Sequence, residues 1–222
     1  MQVCANRRSL GYDHPVMEAA VGLRERKKQR TREAIVDAAF ELFVERGFDG
    51  TTIAEIADAA EIAPRTFFSY FPSKDDVVFY DFEEKYAMVA SWLHDRDPGT
   101  NAIDALQQGI EGQIGEIGEV DRDHLREKQL RGRLIRENEE LAAHSHHLRG
   151  KFSELLAEAV ANDLGDAPAD LRPRMVAAAA TAAMGVIDDT PDEDVELSAQ
   201  TFASLLAFLR GGLEALQDQG RG

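Results

Sequence analysis

Residues 51–74, TTIAEIADAAEIAPRTFFSYFPSK, constrain this chain more than any other stretch of it. They form two short helical patterns around a tight turn. Thr52 and Glu55 stand three apart, the spacing of a capping box that satisfies free N–H groups at a helix start. Ile53, Ile56, Ala57 and Ala60 then supply one apolar face at helical period. Pro64 falls in the first turn of the second helix, where its missing N–H costs nothing. Phe67 and Phe71 are four apart and share an inward face, whereas Arg65, Thr66, Ser69 and Tyr70 point the other way. A short rigid helix with a dry back and a small, hydrogen-bonding front has the shape a DNA major groove accepts.

The rest of the chain reads as helix throughout, and no alternating strand pattern or internal repeat occurs in it. Residues 1–22 read as an irregular, flexible tail, and Met17 is as good a start as Met1. A first helix is expected over about 28–46, with Ile35, Ala38, Ala39, Leu42 and Phe43 on one face and Gly47 closing it. After the two short helices, Ser73 is a good N-cap, with Asp75 and Asp76 in the first turn. The spacing of Val78, Phe82, Tyr86, Val89 and Leu93 predicts one continuous helix from there to about 93. Further helices are expected over about 102–117, 121–136, 139–163, 171–188 and 194–217. Gly109, Gly112, Gly115 and Gly118 make the first of these weak, each costing about 1 kcal/mol relative to Ala. The expectation is an all-α chain of about nine helices: a small domain over 23–73, with the helix-turn-helix at 51–70, and a larger helical domain over 74–222.

A net charge of −16 looks wrong for a partner of nucleic acid, but its distribution answers the objection. Residues 1–80 hold 11 basic and 13 acidic side chains, against 14 and 28 in residues 81–222. Arg24, Arg26, Lys27, Lys28, Arg30 and Arg32 face a single acid within residues 24–32. Local field decides phosphate binding, because salt screens charges beyond roughly 10 Å. A solvated charge run at a helix start explains the same residues; the neighbouring motif tips the reading toward DNA. No run of eighteen apolar residues exists, and the N-terminus has no apolar leader, so a cytoplasmic location without membrane contact is expected. The single Cys4 makes no internal disulfide.

From about residue 30 to residue 92, and above all in AIVDAAFELFVERGFDGTTIAEIADAAEIAPRTFFSYFPSKDDVV, the chain resembles the TetR family of bacterial transcriptional regulators. One departure is Glu61, in a turn where that family usually has Gly. The resemblance implies a homodimeric, ligand-released repressor that binds a pseudo-palindromic double-stranded operator. It implies that Pro64, Arg65 and Ser69 face bases, and that Thr52, Thr66, Phe68, Tyr70 and Lys74, with Arg30 in the basic run, position the DNA backbone. Residues 130–161, LRGRLIRENEELAAHSHHLRGKFSELLAEAVA, resemble members whose ligand domains are acyl-CoA-like, which implies an inducer of that kind.

In the larger domain the same spacings admit two readings. Phe202, Leu206, Leu209 and Leu213 fit a dimer interface and fit an intramolecular core equally. Two-fold operator sites favour the dimer. Phe82, Tyr86, Val89, Trp92, Arg131, Leu134 and Phe152 are candidates for a ligand pocket, and each is also read as plain core. Arg131, Arg133 and Arg136 would suit an anionic head group, or pair with nearby acids. His144 and His147 are three apart on a helix, but structural zinc wants four ligands and HSHH also reads as a polar face; no metal, cofactor or catalytic residue is assigned. The chain has no G-x-S-x-G, P-loop or H-E-x-x-H, so an enzyme is the weaker reading. A non-catalytic small-molecule or interaction protein is the other alternative.

Overall fold

The computed structural model describes residues 15–117, 122–189 and 195–219. Ten helices and no strand occur among them. The first, α1 (Pro15–Arg46), begins well before the expected residue 28. No proline stands between Pro15 and Arg46 to stop the helix, which runs back through the basic run and Gly22 to Pro15; the irregular tail expected over 1–22 is corrected over 15–22. Residues 1–14, and Cys4 with them, lie outside the described residues. Gly47 ends α1 at φ 74°, its N–H donating to the Phe43 carbonyl at 3.1 Å.

α2 (Ile53–Ala59) starts on the expected capping box, Thr52 and Glu55 each accepting from the other's backbone N–H. Its end is a Schellman turn: Ile62 N–H donates to the Ala57 carbonyl at 2.9 Å, and Glu61 N–H to Asp58 at 3.0 Å. That turn puts Glu61 at φ 54°, the one non-glycine residue with positive φ among those described. An L-residue there costs roughly 1–2 kcal/mol, and glycine's extra freedom when unfolded offsets about 0.4–1. Glu61→Gly should therefore raise the unfolding free energy by about 0.5–1 kcal/mol in a urea titration. A neutral or destabilising result would mean that Glu61 makes compensating contacts.

α3 (Pro64–Phe67) follows directly, and Phe67 and Phe71 turn inward onto Phe43, Phe48 and Ile56. Ser73 caps α4 (Lys74–Val78), accepting from the Asp76 N–H. The expected single helix to residue 93 does not form. The chain breaks at 79–81 and resumes as α5 (Phe82–His94), which brings the helix count from nine to ten.

The larger part comprises α6 (Ala102–Ile117), α7 (Arg122–Glu137), α8 (Glu139–Leu164), α9 (Leu171–Asp189) and α10 (Val195–Gln219), all close to expectation. Asp163 holds its start together, accepting from Arg96 at 2.8 Å and from the Ala102 N–H at 2.6 Å. Gly109 is required by packing: a Cβ there would meet the Trp92 indole at 2.1 Å. So one of the glycines that weaken α6 lets α5 lie close against it.

Two apolar cores result. One joins α5, α6, α8, α9 and α10 around Leu106, Val160, Leu206 and Leu213. The other belongs to α1–α4 but does not stop at residue 73, because Val77, Val78, Leu134 and Leu141 complete it. The α7–α8 corner thus packs on the helix-turn-helix body, and Asn138 donates to Asp49 at 3.0 Å across the joint.

Candidate nucleic-acid interface and ligand pocket

The turn after α2 and the proline start of α3 fix the direction of the reading helix, and its inward phenylalanines fix its rotation. Pro64, Arg65, Phe68 and Ser69 are then exposed, and Thr66 and Tyr70 half-exposed. Phe68, a large aromatic left 57% exposed, packs edge-on to Phe67 at 5.6 Å between centroids. Thr66, Ser69 and Tyr70 form one wall of an open groove whose other wall is Arg24, Glu25, Lys27 and Lys28 of α1. The fold therefore sets the basic run beside the hydrogen-bonding face of α3, although some forty residues separate them in sequence. Arg30 lies exposed on the same run. Arg32 does not: its guanidinium lies 5.1 Å from the Phe71 ring centroid and 5.6 Å from that of Tyr80, and donates to the Tyr80 carbonyl.

Thr52 is exposed, and its side chain is engaged in the capping box. Lys74 turns inward. Its Nζ donates to the carbonyls of Phe48 at 2.6 Å and Thr51 at 2.9 Å, and sits 3.9 Å from the Phe48 ring centroid. Burial pushes its pKa down. This geometry makes Lys74 a clamp between α4 and the α1–α2 loop, where the sequence suggested a phosphate contact. Lys74→Ala should lower stability by about 1.5–3 kcal/mol, the range for hydrogen bonds to a charged group. The slope of DNA affinity against salt should stay unchanged. A slope smaller by about one would return Lys74 to the phosphate contacts.

A second site lies between α5, α7 and α8. It is a cavity of about 170 Å³ walled by Phe79, Phe82, Ile135, Leu148 and Phe152, with six charged side chains at its edge. Lys85, Lys128, Arg131 and Arg149 outnumber Asp81 and Glu127. Arg131, 16% exposed, donates from Nη1 to both Asp81 oxygens at 3.0 Å and from Nη2 to Glu127 at 2.7 Å. Its Nε–H is buried and finds no acceptor among the described residues. Burial works to raise the Asp81 pKa, but Arg131 and then Lys85 outweigh it and hold the carboxyl below its usual 3.8. The stability this pair adds is present above that value and is lost as pH falls through the lowered one. Burial first, and Glu127 second, push the Tyr80 phenol up to about 12, which keeps its hydroxyl protonated beside the Glu127 carboxylate.

Of the expected pocket residues, Phe82, Arg131 and Phe152 line this cavity. Tyr86 stands behind them, its ring 5.8 Å from Phe82 and 5.6 Å from Phe152. Leu134 belongs instead to the core of α1–α4, and Val89 and Trp92 pack on the other core. Helical period puts all of these on inward faces without saying which core each face meets.

Residues 35–80 match the bacterial regulatory proteins of the tetR family, and residues 101–219, more than half of the chain, match the MftR C-terminal domain. The chain belongs to the TetR family. It is 31% identical to the HTH-type transcriptional regulator TcmR of Streptomyces glaucescens, over 87% of this chain and 89% of that protein. It is also 31% identical to the MftR regulator of Mycobacterium tuberculosis, over 72% of this chain and 77% of MftR. Among solved structures, the Pseudomonas aeruginosa repressor NalD matches with TM-score 0.56 at 21% identity, covering 83% of this chain and 96% of its own. The Bacillus subtilis regulator FadR, solved with stearoyl-CoA, matches with TM-score 0.53 at 21% identity, covering 80% and 96%. At these identities the two structures establish the fold, and the curated relatives establish a DNA-binding transcriptional regulator.

For a TetR protein the expected dimer residues land in an unexpected place. Leu206, Leu209 and Leu213 are buried within the single chain, packed on α6, α8 and α9. The side chain of Phe202 lies outside the described residues. Within the single chain these three leucines therefore serve the core reading of that stripe. What α9 and α10 leave outside is Leu171, Met175, Val186 and Phe208, all more than 60% exposed, among exposed alanines and glycines. None of these four was singled out in the sequence. Asp81 and Glu127 were missed as well, although each stands four residues before a cation, Lys85 and Arg131.

Among the described residues no helix is long and apolar enough to cross a membrane. No group of three or more potential metal ligands gathers among them either, and His144 packs on the Phe79 ring at 4.7 Å.

Proposed function

We propose that this TetR regulator works as a cytoplasmic homodimer that lays α3 of each subunit in successive major grooves of a pseudo-palindromic operator and represses until a small molecule releases it. The groove between the exposed face of α3 and the Arg24–Lys28 stretch carries the DNA half of the reading: it pairs a base-reading face with phosphate-binding charge. Pro64, Arg65 and Ser69 face bases in this reading. Thr52, Thr66, Phe68, Tyr70 and Arg30, joined by Arg24, Lys27 and Lys28, hold the backbone.

The inducer half rests on the cavity between α5, α7 and α8. Its apolar walls and its excess of basic side chains suit a ligand with an apolar portion and an anionic head, and an acyl-CoA has both. A cavity of about 150 Å³ holds a benzene-sized molecule, so this one takes a ring or a short alkyl unit as it stands. A long acyl chain requires α5 and α7 to part. Only a ligand that binds the released form more tightly than the DNA-bound form can free the operator.

The test is selection of genomic fragments bound by the full chain, followed by release with a panel of acyl-CoAs of graded length. Enrichment of one palindromic sequence and its release by acyl-CoA are expected. No enriched sequence overturns the operator reading. Enrichment that acyl-CoAs leave untouched, while another anionic apolar compound reverses it, overturns only the ligand class.

A further inference from the structure

We infer that residues 79–81 are a hinge between two helical arrangements, and that Arg131 is the pin that holds it bent. The inference rests on the ligand reading of the α5–α7–α8 cavity, because Arg131 forms part of its wall. The local sequence does not explain the bend. No Gly or Pro occurs between residues 74 and 93, and Val78, Phe82, Tyr86, Val89 and Leu93 keep one stripe through the break. A helix interrupted without a breaker is held by something outside it.

Two arginines do this. In a continuous helix the Tyr80 carbonyl would accept from the N–H four residues on; here it accepts from Arg32 of α1. The Phe79 carbonyl accepts from Phe82 at 3.0 Å, a tighter turn than α-helix. Arg131 then grips the break itself, pairing with Asp81 and placing its guanidinium 5.1 Å from the Tyr80 ring centroid, and ties it to α1, where the Phe40 ring centroid lies 6.0 Å away. The same contacts lead to the DNA face. Arg32 lies on Phe71, and Phe71 packs on Phe67 of α3 at 5.9 Å.

The straight form keeps what the bent form does not need Arg131 for. Asp81 and Lys85 are an i,i+4 pair at 2.7 Å that survives in a continuous helix. An anion in the cavity competes with Asp81 for Arg131, and its removal leaves the local sequence to close the helical ladder through 79–81. Because Val77 and Val78 of α4 are buried in the helix-turn-helix core, straightening swings that whole body relative to α5. One arrangement fits the operator and the other does not, so a small change at the cavity becomes a change in reading-helix spacing.

Glu83 gives a backbone lock. It stands at the second position of α5 and is exposed, so proline fits the bent form; in a straight helix proline would clash with the residue 79 carbonyl. Operator affinity is measured by mobility shift without ligand, with circular dichroism to follow helix content. Glu83→Pro should bind as wild type. Arg131→Gln should bind at least tenfold more weakly, and the double variant should recover most of that loss. Asp81→Asn replaces Arg131→Gln if the latter fails to fold, with the same rescue expected. A purely structural arginine would not be rescued by a proline on another helix. A folded double variant as weak as the single one, or Glu83→Pro alone losing the operator, overturns the hinge. Palmitoyl-CoA is then added to wild type and Glu83→Pro. Release of wild type only supports both readings, and release of both overturns the hinge. Release of neither, with the rescue intact, overturns the ligand class and leaves the hinge standing.

Discussion

Replacing Arg65 by alanine should weaken operator binding by about 1–3 kcal/mol for each half-site and relax the preference at one base position. Arg65 is the only charged residue between Glu61 and Lys74, and it is exposed at the start of α3. A guanidinium in that place can give two parallel hydrogen bonds to O6 and N7 of guanine, the pairing that best separates one base from the other three. A loss of 1.4 kcal/mol is tenfold in affinity. Two half-sites losing it together would take the dimer from specific binding toward the salt-governed level that the basic run alone supports. The measurement is a titration of the selected operator, with the preferred sequence determined again for the variant. A lost preference at one symmetric position confirms the role. If affinity and preference are both unchanged, Arg65 does not read a base. Arg30→Ala is the contrasting case: it should weaken all sequences alike and reduce the salt slope by about one.

The parts of this chain that were legible in its sequence are those whose causes are local. The Thr52–Glu55 capping box, the Ser73 cap and the Gly47 stop each depend on residues within a turn of one another, and each stands where the sequence places it. Even Glu61 announced its strained turn by standing where glycine is usual. What was not legible depends on distant partners. The family resemblance implies that Lys74 reaches the DNA backbone, yet carbonyls 23 and 26 residues away turn it inward. At the break over 79–81 the contacts come from Arg32 and Arg131, each about fifty residues away, and no local pattern hints at it. The pocket candidates failed in part for the same reason: a period says that Leu134 faces inward, and only the fold says that it faces the helix-turn-helix core.

The proposed dimer face shows the same limit and yields the other large effect expected here. Phe208→Glu should convert the dimer to a monomer while helical content is retained. Phe208 is 75% exposed on α10, and Met175 and Val186 of the neighbouring α9 are 61% and 66% exposed. Small side chains surround them, with Ala178, Ala179 and Ala182 on α9 and Ala207, Gly211 and Gly212 on α10 all exposed. Such a surface lets helices approach closely, and a two-fold axis would bury each copy of it against the other. An unpaired carboxylate at the centre of that contact costs several kcal/mol, enough to separate subunits without disturbing either core. Operator binding should fall in parallel, since one short reading helix cannot hold a site that two were built to span. Leu209→Glu provides the contrast: Leu209 is buried within the subunit, so the same charge should unfold the larger domain. Sedimentation and circular dichroism on the two variants separate the cases. A folded Phe208→Glu protein that still sediments as a dimer would place the interface elsewhere. A folded Leu209→Glu monomer would return the leucine stripe to the interface that its spacing first suggested.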